Sequence, residues 1–225
     1  RRRARRATLE AAEDLAMSEP VVDGCRTVSA LFAKRVHERA DKVGLREKDL
    51  GIWNEYTWAD WGEQAMLVGL GLKALGLERG DVCSVAAEIC REWLFADLGI
   101  ICVGGVTNGV YPTDSPTQVE YLINDRGTRF YFAEDEEQLD KVLEVRARTP
   151  SLVRIIVFDM EGLRNLRDPQ CMSFAALLAL GREYAAQHPD AWTSEIAAAR
   201  PDDLMILTYT SGTTGPPKGA MISQR

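Results

Sequence analysis

A chain of 225 residues with 46% hydrophobic content is long enough for one substantial domain with a buried core and short for two. Its net charge is −7, and Arg1, Arg2, Arg3, Arg5 and Arg6 mask a body that is more acidic still, which disfavours nucleic acid and anionic membrane faces as partners. Cys25, Cys83, Cys90, Cys102 and Cys171 are odd in number, never spaced C-x-x-C and never interleaved with histidine. That argues against a disulfide framework or a zinc site and for a reducing, cytoplasmic setting.

The Arg-rich start runs into Thr8-Leu9-Glu10-Ala11-Ala12-Glu13-Asp14 and not into an apolar stretch, so it does not read as an export signal. Residues 1–20 are expected to be a disordered tail. No run reaches the roughly 18 apolar residues of a membrane span. The nearest, residues 93–106, is broken by Asp97 and three glycines, which leaves peripheral membrane contact at most. Thr27 opens a helix expected over 27–41, with Val28, Leu31, Phe32 and Val36 at helical spacing. Thr57 caps a second over 58–75, stopped by Gly76.

After Gly80-Asp81, residues 82–87 read as a buried strand, 91–103 as an apolar helix and 106–110 as a strand. Pro116 opens a helix over 117–124, followed by a strand at 129–132, a helix at 136–146 and a strand at 153–158. Between 159 and 199 the pattern weakens into a loop and helices at 173–187 and 193–198, separated by His188-Pro189-Asp190; this stretch reads as a peripheral insertion. Pro201-Asp202-Asp203 then turns the chain into an apolar strand over 204–209. The alternation predicts an α/β fold, a mostly parallel sheet flanked by helices, without internal repeats.

That last strand leads into Tyr209-Thr210-Ser211-Gly212-Thr213-Thr214-Gly215-Pro216-Pro217-Lys218-Gly219. Short Gly/Ser/Thr/Pro tracts are commonly linkers, but this one leaves the carboxyl end of a strand, where open α/β sheets bind ligands. Gly212 and Gly215 allow backbone amides to approach an anion, Thr210, Ser211, Thr213 and Thr214 supply hydroxyls, and Lys218 supplies a compact positive charge. A Walker A loop would need Ser or Thr after the lysine, where Gly219 stands.

The run resembles the phosphate-binding signature of the adenylate-forming enzymes, the superfamily of acyl-CoA synthetases, firefly luciferase and nonribosomal-peptide adenylation domains. Gly109-Val110-Tyr111-Pro112-Thr113-Asp114-Ser115-Pro116 is similar to a segment of the long-chain fatty acyl-CoA synthetase branch. The similarity covers residues 28–225 and implies the N-terminal portion of an adenylation domain, incomplete at its C-terminal end. It implies ATP and coenzyme A as co-substrates of a fatty acid, with Thr210, Ser211, Gly212, Thr213, Thr214, Gly215 and Lys218 on the ATP phosphates. Lys218 would stabilise the departing pyrophosphate. The magnesium ligand, the ribose-binding aspartate and a later catalytic lysine would come from beyond residue 225, in a C-terminal part of the same enzyme. Two departures stand out: Ile89 where long-chain members often have Asn, and Ser223-Gln224-Arg225 where many relatives have Ser-His-Arg.

A non-catalytic remnant or binding module, and an acyl-AMP ligase that does not use coenzyme A, remain as alternatives. Trp53, Tyr56, Trp58 and Trp61 are expected to pack rather than to stack on a base. His37 and His188 lack a neighbouring acid or nucleophile pattern. Glu134-Asp135-Glu136-Glu137 reads as the acidic start of a helix.

Overall fold

The structure, a computed structural model, describes residues 21–210 and 217–225; the tail expected over 1–20 lies outside the described residues. Helix α1 (Val28–Glu38) begins where Thr27, in extended conformation, accepts a hydrogen bond from the Ala30 amide. A hairpin absent from the sequence pattern follows, β1 (Val43–Asp49) and β2 (Ile52–Thr57). Leu50 and Gly51 turn it with φ of 45° and 85°, the left-handed pair that a two-residue hairpin loop requires. Helix α2 (Trp58–Ala74) starts with a reciprocal cap between Thr57 and Asp60.

The next elements fall within two residues of the predicted bounds: β3 (Val82–Ala86), α3 (Arg91–Cys102), β4 (Val106–Val110), α4 (Pro116–Arg126), β5 (Phe130–Ala133), α5 (Glu136–Val145) and β6 (Arg154–Val157). After them come β7 (Cys171–Ser173), α6 (Phe174–Gln187), α7 (Ala191–Ala198), β8 (Leu204–Thr210) and β9 (Lys218–Ser223). Among the described residues the larger sheet has seven strands in the order β7-β6-β5-β3-β4-β8-β9, parallel except for the antiparallel β8–β9 pair. The chain enters this sheet at its middle strand, β3. It then builds β4 on one side and β5 to β7 on the other before β8 returns beside β4. The predicted helix-flanked, mostly parallel sheet is what forms.

Alternate residues of the strands feed two apolar layers. On one face Val82, Val106, Tyr131 and Ile155 meet Val119, Leu122 and Ile123 of α4 and Leu139, Val142 and Val145 of α5. On the other, Cys83, Val85, Phe130, Phe132 and Ile156 meet Val68 and Leu72 of α2, Phe95 and Ile100 of α3, and Phe174 and Leu177 of α6. Helices α1 and α7 lie outside α2, where Trp58 and Trp61 stack at 5.2 Å beside Phe32. Trp58 and Trp61 pack as expected and Tyr56 lies edge-on to Phe95, whereas Trp53 is 61% exposed on the β1–β2 hairpin and does not.

Residues 159–199 are not a peripheral insertion. Strand β7 extends the sheet alongside β6, and α6 lies so close to α2 that a Cβ at Gly181 would stand 2.0 Å from the Leu67 carbonyl oxygen. Small residues supply that contact, and they leave little hydrophobic periodicity to read.

Candidate functional site

Of the phosphate-loop candidates, Thr210 and Lys218 sit on a hairpin at the carboxyl edge of the parallel sheet. Thr210 ends β8, Lys218 begins β9, and the two are register partners. The structure therefore holds both ends of the segment together, with a hydroxyl opposite an ammonium. Ser211, Gly212, Thr213, Thr214 and Gly215 lie outside the described residues. Both Thr210 and Lys218 are exposed, and among the described residues no carboxylate is ion-paired with Lys218. The Thr210 hydroxyl and the Lys218 ammonium are thus available to an anion.

Tyr209 forms the floor beneath these groups. Its ring lies across from Gly219, where an added Cβ would come within 3.2 Å of Tyr209 Cζ. Any larger residue after the lysine would press on this ring, which would have to give by a few tenths of an ångström. The Tyr209 hydroxyl donates to Asp125, and burial together with that carboxylate pushes the phenol well above its usual pKa. Tyr121, edge-on to Tyr209 at 6.4 Å between ring centroids, donates its hydroxyl to the Pro217 carbonyl at 3.0 Å. Helix α4, opened by Pro116 and the Ser115–Gln118 reciprocal cap, thus braces the described end of the loop. The brace was not anticipated from the sequence, although Tyr209 opens the motif.

Beside the hairpin a cleft of about 420 Å³ opens at the carboxyl ends of β3, β4 and β8. Ile89, Trp93, Tyr111, Pro112, Thr208 and Tyr209 are among its lining residues. This is where strand order reverses about β3, the position at which such sheets take ligands. Tyr111 and Ile89 are 62% and 87% exposed, so the resembling Tyr-Pro segment and the departure at Ile89 both face this opening. A second cavity of about 410 Å³ on the other side of Tyr209 is bounded by Asp114, Gln118, Tyr121, Thr210 and Pro217.

The remaining candidates have structural explanations. Asp135 caps α5, accepting from the Gln138 amide at 3.0 Å, and Glu134 accepts from the Glu88 amide. His188 packs on the Tyr184 ring. Burial pushes the Cys90 thiol up to about 11, and Cys83 and Cys102 are fully buried, so none of them is poised as a thiolate. Among the described residues no group of three or more His, Cys, Asp or Glu side chains is gathered to hold a metal.

A model of the AMP-binding enzymes matches residues 32–225. The long-chain-fatty-acid–CoA ligase ACSBG2 of Xenopus laevis is 32% identical over 211 residues, covering 93% of this chain and 27% of that protein. The long-chain-fatty-acid–CoA ligase FadD15 of Mycobacterium bovis is 32% identical over 197 residues, covering 88% of this chain and 31% of that protein. Among solved structures, the anthranilate CoA ligase AuaEII in complex with anthranoyl-AMP superposes with a TM-score of 0.73 at 25% identity, over 88% of this chain and 35% of that one. The chain spans little more than a third, at most, of the length of these proteins. The family match runs from the middle of α1 through the whole larger sheet to the hairpin that bears Thr210 and Lys218, and the chain belongs to the AMP-binding enzyme family.

Proposed function

We propose that this chain forms the leading part of an enzyme that activates a long-chain fatty acid with ATP and passes the acyl group to coenzyme A. The observation that carries the reading is the β8–β9 hairpin, which sets Thr210 against Lys218 at the carboxyl edge of the sheet beside an open cleft. In this reading residues 21–225 are the N-terminal portion of the adenylation domain.

A carboxylate is a poor acyl donor, so the acid first attacks the α-phosphate of ATP and pyrophosphate departs; the coenzyme A thiol then displaces AMP. The chain's contribution is placement and charge neutralisation. Thr210, Ser211, Thr213 and Thr214 supply hydroxyl donors, Gly212 and Gly215 admit the phosphates to the backbone amides, and Lys218 meets the negative charge that grows on the leaving group. Magnesium travels with the nucleotide, and its protein ligand is expected outside these residues. The resemblance of the two curated ligases supports a long-chain acid, and the cleft beside Tyr111 and Pro112 supports an acyl or nucleotide group lying across these strand ends.

The test is ATP–pyrophosphate exchange with long-chain acids, measured on the complete protein that carries this chain. Charge-assisted hydrogen bonds contribute about 1.5–3 kcal/mol each, so Lys218→Ala is expected to slow exchange about 10²-fold or more. Unchanged exchange in that variant would sink the assignment of the loop. Exchange without thioester formation would instead identify an acyl-AMP ligase.

A further inference from the structure

We propose that Gln224 is a positioning residue for the phosphate-binding segment, acting as a side-chain clamp that joins the downstream arm of the hairpin to the start of α1; this rests on the reading of the site given above. Gln224 follows β9 directly and is 1% exposed. A neutral amide so deeply buried needs partners for both of its ends, and it has them.

The first turn of a helix presents amides that have no acceptor within the helix. In α1 the third such amide, Ala30, is satisfied by Thr27. The first two are satisfied by Gln224: its carbonyl accepts from the Val28 amide at 3.0 Å, and its side-chain oxygen accepts from the Ser29 amide at 3.1 Å. The side-chain nitrogen of Gln224 donates to the Ile101 carbonyl of α3 at 3.3 Å and to Ser29 Oγ at 3.0 Å. One residue therefore caps α1 and ties it to α3, although Ser29 and Gln224 are 195 positions apart. Its own amide donates to the Asp203 carbonyl, and the Asp203 carboxylate is held by Arg79 at 3.0 Å. Asp203 stands immediately before β8. The clamp thus fastens the upstream and downstream arms of the hairpin to the helical layer at the end remote from Lys218.

The amide group suits this place because it offers an acceptor to the positive end of α1 and a donor to a helix carbonyl at once. A side chain of the same length without those groups leaves the Ser29 amide without its acceptor and removes the tie to the Ile101 carbonyl. Among the described residues the downstream arm would then keep its ladder to β8, the backbone bonds of residue 224 to Val28 and Asp203 and the Tyr121 contact, but no side-chain tie to α3. Lys218 would sample positions away from the phosphates, raising the ATP requirement without touching the acid.

The experiment compares Gln224→Met, Ser29→Ala and the double variant in the complete protein. It uses amide hydrogen exchange over residues 218–223 and 28–31, and KM values for ATP and for the fatty acid. Gln224→Met is expected to speed amide exchange about tenfold in both segments and to raise the ATP KM about tenfold, with the acid KM unchanged. Ser29→Ala is expected to show about threefold effects, and the double variant no more than Gln224→Met. If Gln224→Met does not fold, Ser29→Ala carries the same comparison against the unsubstituted protein. Unchanged amide exchange over 218–223 in a folded variant would overturn the clamp, whatever the activity. Equal rises in both KM values would overturn its specificity for the phosphate segment. Absence of pyrophosphate exchange in the unsubstituted protein would overturn the functional reading and the ATP part of this proposal, while the clamp itself is decided by the amide exchange.

Discussion

Tyr209 and Gly219 show how a single missing side chain shapes the site. A side chain at position 219 would press on a phenol ring that is fixed on both sides, by Asp125 through its hydroxyl and by Tyr121 through its edge. Gly219→Val is therefore expected to cost about 1–3 kcal/mol as an overpacked contact and to slow pyrophosphate exchange, whereas Tyr209→Leu in the same background should recover part of the stability. Thermal unfolding of the two variants checks this; a Gly219→Val protein as stable as the parent would mean that the ring moves aside freely. Gly219 was legible in the sequence only as the residue that excludes a Walker A loop. Its packing reason needs the β8–β9 register, which no local pattern carries.

Helix α3 carries the half-buried Asp97, whose carboxyl is the most displaced among the described residues. Burial pushes Asp97 up to about 6, only partly offset by the Thr107 hydroxyl, and its Oδ1 lacks a hydrogen-bond partner. The folded pKa lies above the ordinary value of 3.8, so between about pH 4 and 6 the folded chain binds more protons than the unfolded one. Stability then falls as pH rises through that window, and the loss is complete above it. Asp97→Asn should accordingly raise stability at pH 7.5 by on the order of 2–3 kcal/mol and give nothing at pH 4; equal gains at both pH values would show that the carboxylate is not the cause. The element scale is also where sequence reading was strongest and where it failed for identifiable reasons. Helices with side-chain caps at Thr27, Thr57, Ser115 and Asp135 were found, because the capping residue and the apolar period agree. The β1–β2 hairpin was missed because Leu50, a residue that rarely takes positive φ, occupies a turn position where Asn or Asp would have announced it. Strand β9 was missed because its residues are largely exposed and its pairing is dictated by β8.

At the scale of the whole molecule, β9 is an edge strand of the larger sheet among the described residues, with Met221 and Ile222 65% and 43% exposed. An apolar edge invites pairing between copies. The 225-residue chain is expected to self-associate, and Met221→Lys should shift it toward monomer in sedimentation velocity without altering its far-ultraviolet circular dichroism; an unaltered distribution would place the association elsewhere. Beyond the motif itself, the sequence made legible the class of fold and the strand end that carries the site, but not the order in which strands lie. That order has a temporal consequence. Strand β8 is attached to β4 through only the Thr107–Ile206 and Asn108–Leu207 pairs, whereas β3 and β4 share five, and nearly a hundred residues intervene. During synthesis the platform from β3 to β7 can assemble while the hairpin is still inside the ribosome, so the β8–β9 hairpin docks on a surface that is already built.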